Sequence, residues 1–269
     1  MVANSRKFTY DRYANKGTYG LPAAGAARIL TLGGPVWLVF RRAERRAPVV
    51  RHGIFQDRRD AGQALVAEIR RCDLRDPLVL GLPRGGIPVA YEVASALSAP
   101  LDVIVVRKLG APFQPELAIG AIASGGIRVL NEDVLRLFPD IDDEDIERIA
   151  ARETDELERR ERQYRGDRPY PALSNRNVVL IDDGLATGAT MLAAVAAIRS
   201  QQPASITVAV PTGSDSAVRK LSPLVDRLVC LETPPDFRAV GLYYVDFGQT
   251  TDEEVRDLLA KARRERDNA

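Results

Sequence analysis

The chain has few of the residues from which metal sites and nucleophilic catalytic sites are usually assembled. Its 269 residues include only two cysteines, Cys72 and Cys230, and a single histidine, His52. The two cysteines lie far apart and form no C-x-x-C pair, so this inventory supports no zinc site. It also disfavours a Cys–His or Ser–His catalytic pair, and the low cysteine content fits a reducing compartment.

The sequence also lacks long apolar segments and the common glycine motifs of nucleotide-binding proteins. Its longest apolar stretch, residues 29–40, is interrupted by Gly-Gly-Pro and is too short to cross a bilayer. Neither G-x-x-x-x-G-K-S/T nor G-x-G-x-x-G occurs, so an ATP-type P-loop and a dinucleotide-binding turn are not supported. We expect a cytoplasmic protein without a signal peptide and without membrane partners.

Charge is distributed unevenly along the chain. Residues 1–53 hold ten lysines and arginines against two acidic residues, whereas the remainder carries a net charge of −7. One interpretation of the first segment is a basic arm for nucleic acid or lipid. Because it has no helical or strand periodicity, we instead interpret residues 1–52 as a disordered extension or a misassigned start, and residues 53–269 as the folded domain. The mildly acidic domain argues against nucleic acid as a partner.

Short apolar runs alternate with helical segments from residue 55 onward. The runs are almost continuously apolar, as in strands that are covered on both faces. They lie at 78–82, 101–106, 178–181, 206–211 and 227–231. The segments between them include predicted helices at 55–71, 87–97 and 131–166. This alternation predicts an α/β fold with a mostly parallel central sheet flanked by helices.

The most informative segment is Val178 to Thr190, VVLIDDGLATGAT. Four apolar residues are followed by two adjacent carboxylates, Asp182 and Asp183, and a turn of small residues then leads into an Ala-rich helix. A turn that opens a helix offers unpaired backbone amides at the positive end of the helix dipole, an arrangement that binds phosphate. Two acids would repel a phosphate, so we expect them to hold a ribose diol or a magnesium-bound sugar phosphate. The plainer alternative is an ordinary turn with Asp as the helix N-cap.

A second turn of the same kind follows the predicted strand at 78–82. In LPRGG, Gly85 and Gly86 allow the backbone to approach an anion closely, and Arg84 supplies positive charge. By itself, an R-G-G turn is only a tight connection. The carboxyl ends of parallel strands meet at one edge of a sheet, however, so we expect both turns to contribute to one site.

These motifs resemble those of the type I phosphoribosyltransferases, in which four apolar residues and two acids precede a turn ending in T-G-x-T. The resemblance implies that Asp182 and Asp183 hold the ribose hydroxyls of phosphoribosyl diphosphate (PRPP) during catalysis. It also implies a loop for the 5′-phosphate and a turn for the diphosphate. The loop comprises Gly184, Ala186, Thr187, Gly188, Ala189 and Thr190, and the turn comprises Arg84, Gly85 and Gly86.

The segment 107–116, which begins with Arg107 and Lys108, contains two prolines and a glycine and is predicted to be a loop. The two cations resemble the start of the mobile catalytic loop in the orotate enzymes of this family. That resemblance implies a catalytic role for both residues on the departing diphosphate. The alternative is a strand that ends in solvated cations. Residues 117–130 are predicted to form a hairpin around Gly125-Gly126.

The segment 234–247, PPDFRAVGLYYVDF, resembles the hood of the hypoxanthine-type enzymes. This resemblance implies Phe237 and Tyr244 as residues that bind the base, and Asp246 as the acid that reaches the metal and the diphosphate. Ala186, however, stands where the oxopurine enzymes usually have an acid. The acceptor base is therefore open, either a purine or a pyrimidine.

In overall layout, the chain resembles stand-alone bacterial phosphoribosyltransferase-domain proteins, which carry LGLPRGG, VRKxGAP, DDGxATG and YYxDF in this order. The resemblance implies the type I fold with a small hood formed by the terminal segments, Mg²⁺ as cofactor, and a homodimer. The implied activity is transfer of ribose 5-phosphate from PRPP to a nucleobase-like acceptor, with release of diphosphate. The alternative is a non-catalytic regulator that senses PRPP or a nucleotide on the same scaffold.

Overall fold

The computed structural model describes residues 55–268, apart from the side chains of Pro115 and Glu116. The extension predicted at 1–52 lies outside this range. The strands are β1 (Pro77–Gly81), β2 (Leu101–Val103), β3 (Val106–Ala111), β4 (Gln114–Ala123), β5 (Ile127–Leu130), β6 (Asn177–Ile181), β7 (Ser205–Thr212) and β8 (Arg227–Glu232). The helices are α1 (Arg58–Arg70), α2 (Gly86–Leu97), α3 (Glu132–Leu137), α4 (Asp143–Arg165), α5 (Ala189–Ser200), α6 (Asp215–Leu221) and α7 (Asp252–Asp267), and short 3-10 helices lie at Ser222–Leu224 and Val240–Tyr243.

The central sheet has five parallel strands in the order β2-β1-β6-β7-β8. Successive residues of a strand point to opposite faces, and both faces are covered. Val79 of β1 packs in one hydrophobic cluster with α1, α2 and α7, while Leu80 packs in the other with α5 and α6. The expected α/β fold with a parallel sheet flanked by helices is therefore confirmed. No helix among residues 55–268 is both long enough and apolar enough to cross a membrane.

The loop predicted at 107–116 is wrong, because most of this segment belongs to a β-hairpin. Strands β3, β4 and β5 form a separate antiparallel sheet of three strands. Pro112 lies in the two-residue turn between β3 and β4, and Gly110 lies where the register between these strands shifts. The residues that predicted a loop thus mark the turn and the irregularity of a hairpin.

Two other predictions were correct in kind but not in extent. The hairpin at 117–130 is confirmed, with Gly125 and Gly126 at φ values of 81° and 72° in its turn. Only glycine adopts such angles without strain. The strand predicted at 101–106 ends at Val103, because the chain there leaves the parallel sheet and enters β3.

A buried ion pair joins the edge of the parallel sheet to the long helix α4. Asp102 of β2 accepts hydrogen bonds from Arg165 at the last turn of α4, with Oδ1–Nε and Oδ2–Nη2 distances of 3.0 and 3.3 Å. The two side chains are only 12% and 4% exposed. Removing one partner of such a pair leaves an uncompensated charge in the interior.

We therefore expect Asp102→Asn to lower the free energy of unfolding by roughly 3–5 kcal/mol, because Arg165 would remain buried without its counter-ion. Urea unfolding monitored by circular dichroism measures this loss. The matched control is Asp133→Asn, since Asp133 pairs with Arg136 on the surface and both side chains are about two-thirds exposed or more. The control should change stability by less than about 0.5 kcal/mol, and equal effects of the two variants would contradict the assignment.

Candidate functional site

The turn between β6 and α5 presents a group of unpaired backbone donors. The amides of Ala186, Thr187 and Gly188 make no hydrogen bond to any of the described residues, and α5 begins at the next residue. Gly188 has a φ of 75°, which allows the chain to turn sharply into the helix. Free amides at a helix N-terminus create a local positive potential that suits an anion.

The carbonyl groups of Leu185 and Ala186 in this turn accept hydrogen bonds that fix it to the end of β7. Ser214 donates its amide to the Leu185 carbonyl over 2.8 Å and its hydroxyl to the Ala186 carbonyl over 2.6 Å. The Leu185 amide in turn donates to Thr212 O over 2.9 Å. Hydrogen bonds to its carbonyl groups thus hold most of the turn in place, and the amides of residues 186–188 remain available to a ligand.

A small pocket of about 160 Å³ opens over the turn. It is lined by Asp182, residues 184–191 and Val240. Val240 was not singled out from the sequence, although it lies within the predicted hood segment. A Cβ on Gly184 would lie 2.6 Å from Val240 Cγ1, so this position must be glycine for the 3-10 helix to pack here.

The two adjacent acids that follow β6 are both mostly withdrawn from solvent. Burial, and then the charge of Asp183, raise the pKa of Asp182 well above its ordinary value. Burial also raises the pKa of Asp183, while the guanidinium of Arg58 acts in the opposite direction. Paired acids with raised pKa values, one of which lines a pocket, are typical of a functional site.

Arg58, the first residue of α1, is a site residue that the sequence did not reveal. Its Nε lies 2.8 Å from Asp183 Oδ2, and its Nη1 donates to the Gly248 carbonyl over 2.7 Å. Its guanidinium also lies 3.9 Å from the ring centroid of Phe247. No local signal distinguishes Arg58 from its neighbour Arg59, because the pairing spans 125 positions of the chain.

The LPRGG turn is in direct contact with the acidic turn. A Cβ on Gly85 would lie 2.7 Å from Asp183 Cγ, and one on Gly86 would lie 2.8 Å from the Ile181 carbonyl. Both glycines are therefore required by the close approach of the two turns. The Pro83–Arg84 peptide bond is cis. The Arg84 side chain is 40% exposed, and its Nη1 lies 3.9 Å from Asp252 Oδ1.

Tyr244 does not occupy the position expected of a residue that binds a base. Its side chain is only 5% exposed and packs against Phe55, with ring centroids 5.7 Å apart. Its hydroxyl donates to the Asp183 carbonyl over 2.6 Å, and burial raises its pKa. The ring has no open face for a base, so the expectation that Tyr244 binds the base is corrected. Its hydroxyl instead supports the backbone of the acidic turn.

The other two residues of the hood segment have different surroundings. Phe237 is half-buried and stacks on Tyr243, with centroids 5.2 Å apart and an interplanar angle of 12°. Asp246 is exposed, and its Oδ1 accepts the Gly248 amide over 2.9 Å. Within residues 55–268 there is no group of three or more His, Cys, Asp or Glu side chains that could hold a metal ion.

Arg107 and Lys108 line a different and larger pocket, of about 620 Å³, between the β3–β4 hairpin and α4. The Arg107 Nε and Nη2 groups donate to Glu153 Oε2 at 2.9 and 2.6 Å. Arg148 and Arg152 add two further cations to the lining. This pocket shares no lining residue with the pocket over the β6–α5 turn, so the two sets of predicted site residues are not brought together.

Comparison with known proteins agrees with the family resemblance seen in the sequence motifs. Residues 55–247 match the phosphoribosyl transferase domain. Over 212 residues, 79% of this chain, the sequence is 46% identical to proteins of two Mycobacterium tuberculosis strains that are provisionally named phosphoribosyl transferases. The match covers 48% of these proteins, so the chain spans about half the length of the curated relatives it matches. The crystal structure of the protein TT1426 from Thermus thermophilus is 47% identical and superposes with a TM-score of 0.71, covering 77% of this chain and 98% of that one.

The hydroxyl of Tyr244 provides a test of how the acidic turn is supported. We expect Tyr244→Phe to lower the free energy of unfolding by about 1–2 kcal/mol, because the part-buried Asp183 carbonyl loses its donor. The control is Tyr243→Phe, since the Tyr243 hydroxyl makes no hydrogen bond to a described residue. Urea unfolding of both variants measures the difference, and equal stabilities would show that the Tyr244 hydroxyl gives no support.

Proposed function

This chain belongs to the phosphoribosyl transferase domain family, and we propose that it binds PRPP and transfers the ribose 5-phosphate to a nitrogenous base with release of diphosphate. One observation carries the proposal. Three unpaired amides at the start of α5 lie directly after two carboxylates of raised pKa. An anion site next to a pair of acceptors matches a sugar phosphate, which has a phosphate at one end and vicinal hydroxyls at the other.

In this proposal, the protein acts mainly by holding the sugar. The amides of residues 186–188 and the hydroxyls of Thr187 and Thr190 bind the 5′-phosphate, and Asp182 and Asp183 accept hydrogen bonds from the ribose hydroxyls. The anomeric C–O bond then breaks and a nitrogen of the base bonds to the same carbon, with positive charge developing on the ribose ring and negative charge on the leaving diphosphate; the proton of that nitrogen leaves to the diphosphate or to water. Fixed donors and acceptors that need no rearrangement favour such a charge-separated transition state.

The diphosphate would lie against the LPRGG turn. Arg84 is available there, since its contact with Asp252 is long, at 3.9 Å, and solvent-accessible. Mg²⁺ usually binds through one or two carboxylates together with substrate phosphates. The described residues offer no cluster for a protein-built metal centre, so we propose that Mg²⁺ enters on the diphosphate, where it would neutralise charge. Asp246, whose carboxylate is exposed, is the proposed protein contact of the metal and the diphosphate.

The acceptor half of the site is less defined. Phe237 and Tyr243 form a stacked aromatic pair in the same segment as Val240, which lines the pocket. An aromatic ring with an open face can stack on a base, so we propose Phe237 as the contact on this side. Ala186 offers no side-chain acid for the base. Diphosphate release from PRPP and Mg²⁺, measured against a panel of purine and pyrimidine bases, tests the activity and identifies the acceptor.

We expect Asp182→Asn to abolish PRPP binding and at the same time to raise the melting temperature. The pKa of Asp182 is raised in the folded protein, so the folded state binds this proton more tightly than the unfolded chain does. Wild-type stability must then decrease as pH rises from the ordinary value of the group through its folded-state value. Asparagine removes this loss, so the stability gain should be absent at about pH 3 and should appear as pH rises towards about 8.

Calorimetry with PRPP and thermal melts at several pH values provide the two measurements. The control is Asp257→Asn, since Asp257 is exposed on α7. Unchanged PRPP affinity in Asp182→Asn would contradict the assignment to the sugar. A lower melting temperature than wild type at about pH 8 would contradict the electrostatic argument.

A role for Arg107 and Lys108 on the departing diphosphate is also proposed, and it requires the hairpin to approach the sugar site during turnover. Because charge on the diphosphate grows in the transition state, Arg107→Ala and Lys108→Ala should lower kcat on the order of 10²-fold and change PRPP affinity much less. The control is Arg136→Ala on the surface helix α3, which should keep wild-type kcat. If both alanine variants kept kcat within about twofold, the diphosphate would have to be handled by Arg84 and the metal.

A further inference from the structure

Arg58 and the Asp183 amide each occupy one carboxylate oxygen of the acidic pair. The Asp183 amide donates to Asp182 Oδ1 over 2.9 Å, and Arg58 occupies Asp183 Oδ2 at 2.8 Å. The other oxygen of each carboxylate, Asp182 Oδ2 and Asp183 Oδ1, accepts no hydrogen bond from a different residue within 55–268. The pair thus has two committed acceptors and two uncommitted ones, which is the number that a vicinal diol needs.

The contacts of Arg58 differ from those of an ordinary surface ion pair. Its side chain is only 12% exposed, and that of Asp183 is 15% exposed. Three separate interactions hold the guanidinium, namely the carboxylate of Asp183, the carbonyl of Gly248 and the face of the Phe247 ring. A planar fork that is fixed on several sides loses little further freedom when it orients a carboxylate.

Arg59, the next residue of α1, provides the contrast. Its side chain is 61% exposed, and its Nε lies 3.7 Å from Glu92 Oε1. A loose, exposed contact of this kind contributes little to stability or to the geometry of the site. The two arginines are neighbours in the same helix turn, but the Arg58 side chain is mostly buried at the acidic pair and the Arg59 side chain is exposed.

We propose that Arg58 is the positioning residue of the sugar site, which fixes Asp183 through one oxygen and favours the ionised form of the carboxylate, so that the other oxygen faces a ribose hydroxyl as an acceptor. The inference rests on the proposed function, since it assigns the acceptors to a sugar. It adds that the first turn of α1, far from both turn motifs in sequence, sets the geometry and charge of the acidic pair. Arg58 acts through Asp183 and needs no contact with the ligand.

The charged and titratable groups around Asp183 allow the direction of the effect to be derived. Arg58 from α1 favours the ionised form of Asp183. Asp182, on the same turn, has a pKa that is itself raised by burial and then by the charge of Asp183. Tyr244, from the segment below, donates to the backbone carbonyl, and its pKa is raised by burial and by Asp183. From the facing turn, Gly85 carries no charge, and the Arg84 guanidinium lies 3.9 Å from Asp252 Oδ1 instead. Arg58 is thus the cation that opposes protonation of Asp183, and its removal should raise the pKa of that carboxyl.

The test is calorimetric titration with PRPP and Mg²⁺ across a pH series, for wild type, Arg58→Gln, Arg58→Lys and the control Arg59→Gln. We expect Arg58→Gln to weaken PRPP binding at neutral pH by about tenfold or more, and to shift the acid limb of binding upward by about one pH unit or more. Arg58→Lys keeps the charge but loses the fork, so it should restore the pH profile more than the affinity. Arg59→Gln should match wild type.

Two results would overturn the inference. Superimposable pH profiles for Arg58→Gln and Arg59→Gln would show that Arg58 does not set the ionisation of the pair. A loss of affinity that is equal at every pH, and that Arg58→Lys does not relieve, would show a merely structural role. If Arg58→Gln does not fold, the comparison of Arg58→Lys with wild type decides the question, because an identical affinity and pH profile would show that the fork has no role.

A ligand-free measurement separates this inference from the proposed function. Carboxyl ¹³C titration by NMR follows the ionisation of Asp182 and Asp183 directly, in wild type and in the Arg58 variants. Absence of PRPP binding in the wild-type protein would refute the proposed function alone. An Asp183 titration that is unchanged by loss of the Arg58 charge would refute the role of Arg58, whether or not PRPP binds.

Discussion

Two adjacent carboxylates at the carboxyl edge of a parallel sheet impose the main constraint on this structure. Burial disfavours the charged form of both, and the charge of Asp183 further raises the pKa of Asp182. Three contacts offset part of this cost. The Asp183 amide donates to Asp182, the Arg58 guanidinium donates to the Asp183 carboxylate, and the Tyr244 hydroxyl donates to the Asp183 carbonyl. Each of these contacts stabilises the acidic turn, and none occupies all of its acceptors. The fold thus holds a pair of buried acids whose electrostatic cost neutral residues would not carry, which is the pattern expected where function sets the residue type.

The parallel register of the sheet explains why two distant motifs form one site. Gly81 at the end of β1 pairs with Ile181 at the end of β6, so the turns that follow these strands leave the sheet side by side. The contact is so close that Gly85 and Gly86 admit no side chain. A glycine turn next to an acidic turn therefore follows directly from strand order. The same register cannot bring in the β3–β4 hairpin, which belongs to a separate antiparallel sheet and is tied by Arg107 to α4.

The features that the sequence predicted correctly are local ones. The strand, turn and helix around Asp182 and Asp183 are encoded within thirteen consecutive residues, and the parallel sheet follows from apolar runs of strand length. The prediction failed where proline and glycine were interpreted as loop residues, because Pro112 marks the turn of a hairpin and Gly110 its irregularity. The roles of Arg58 and Tyr244 could not be predicted, since each depends on a contact with Asp183 across a long stretch of chain. An arginine in a helix turn usually forms a surface ion pair, and a tyrosine in an apolar segment usually packs in the core, so neither residue type indicates a contact with Asp183.

The two halves of the site differ in how firmly the fold defines them. The β6–α5 turn is bonded to the end of β7, and Asp183 is bonded to Arg58 of α1, so the proposed sugar half is built on regular elements. The other side consists of a segment with one short 3-10 helix, in which Leu242 and Val245 are largely exposed and Phe237 stacks on Tyr243. That segment nevertheless contacts Asp183 in two ways. The Tyr244 hydroxyl donates to the Asp183 carbonyl, and Arg58 donates both to the Gly248 carbonyl and to the Asp183 carboxylate. A base that shifts this segment on binding would therefore also act on the carboxylates, so acceptor binding and sugar binding should depend on each other in both directions.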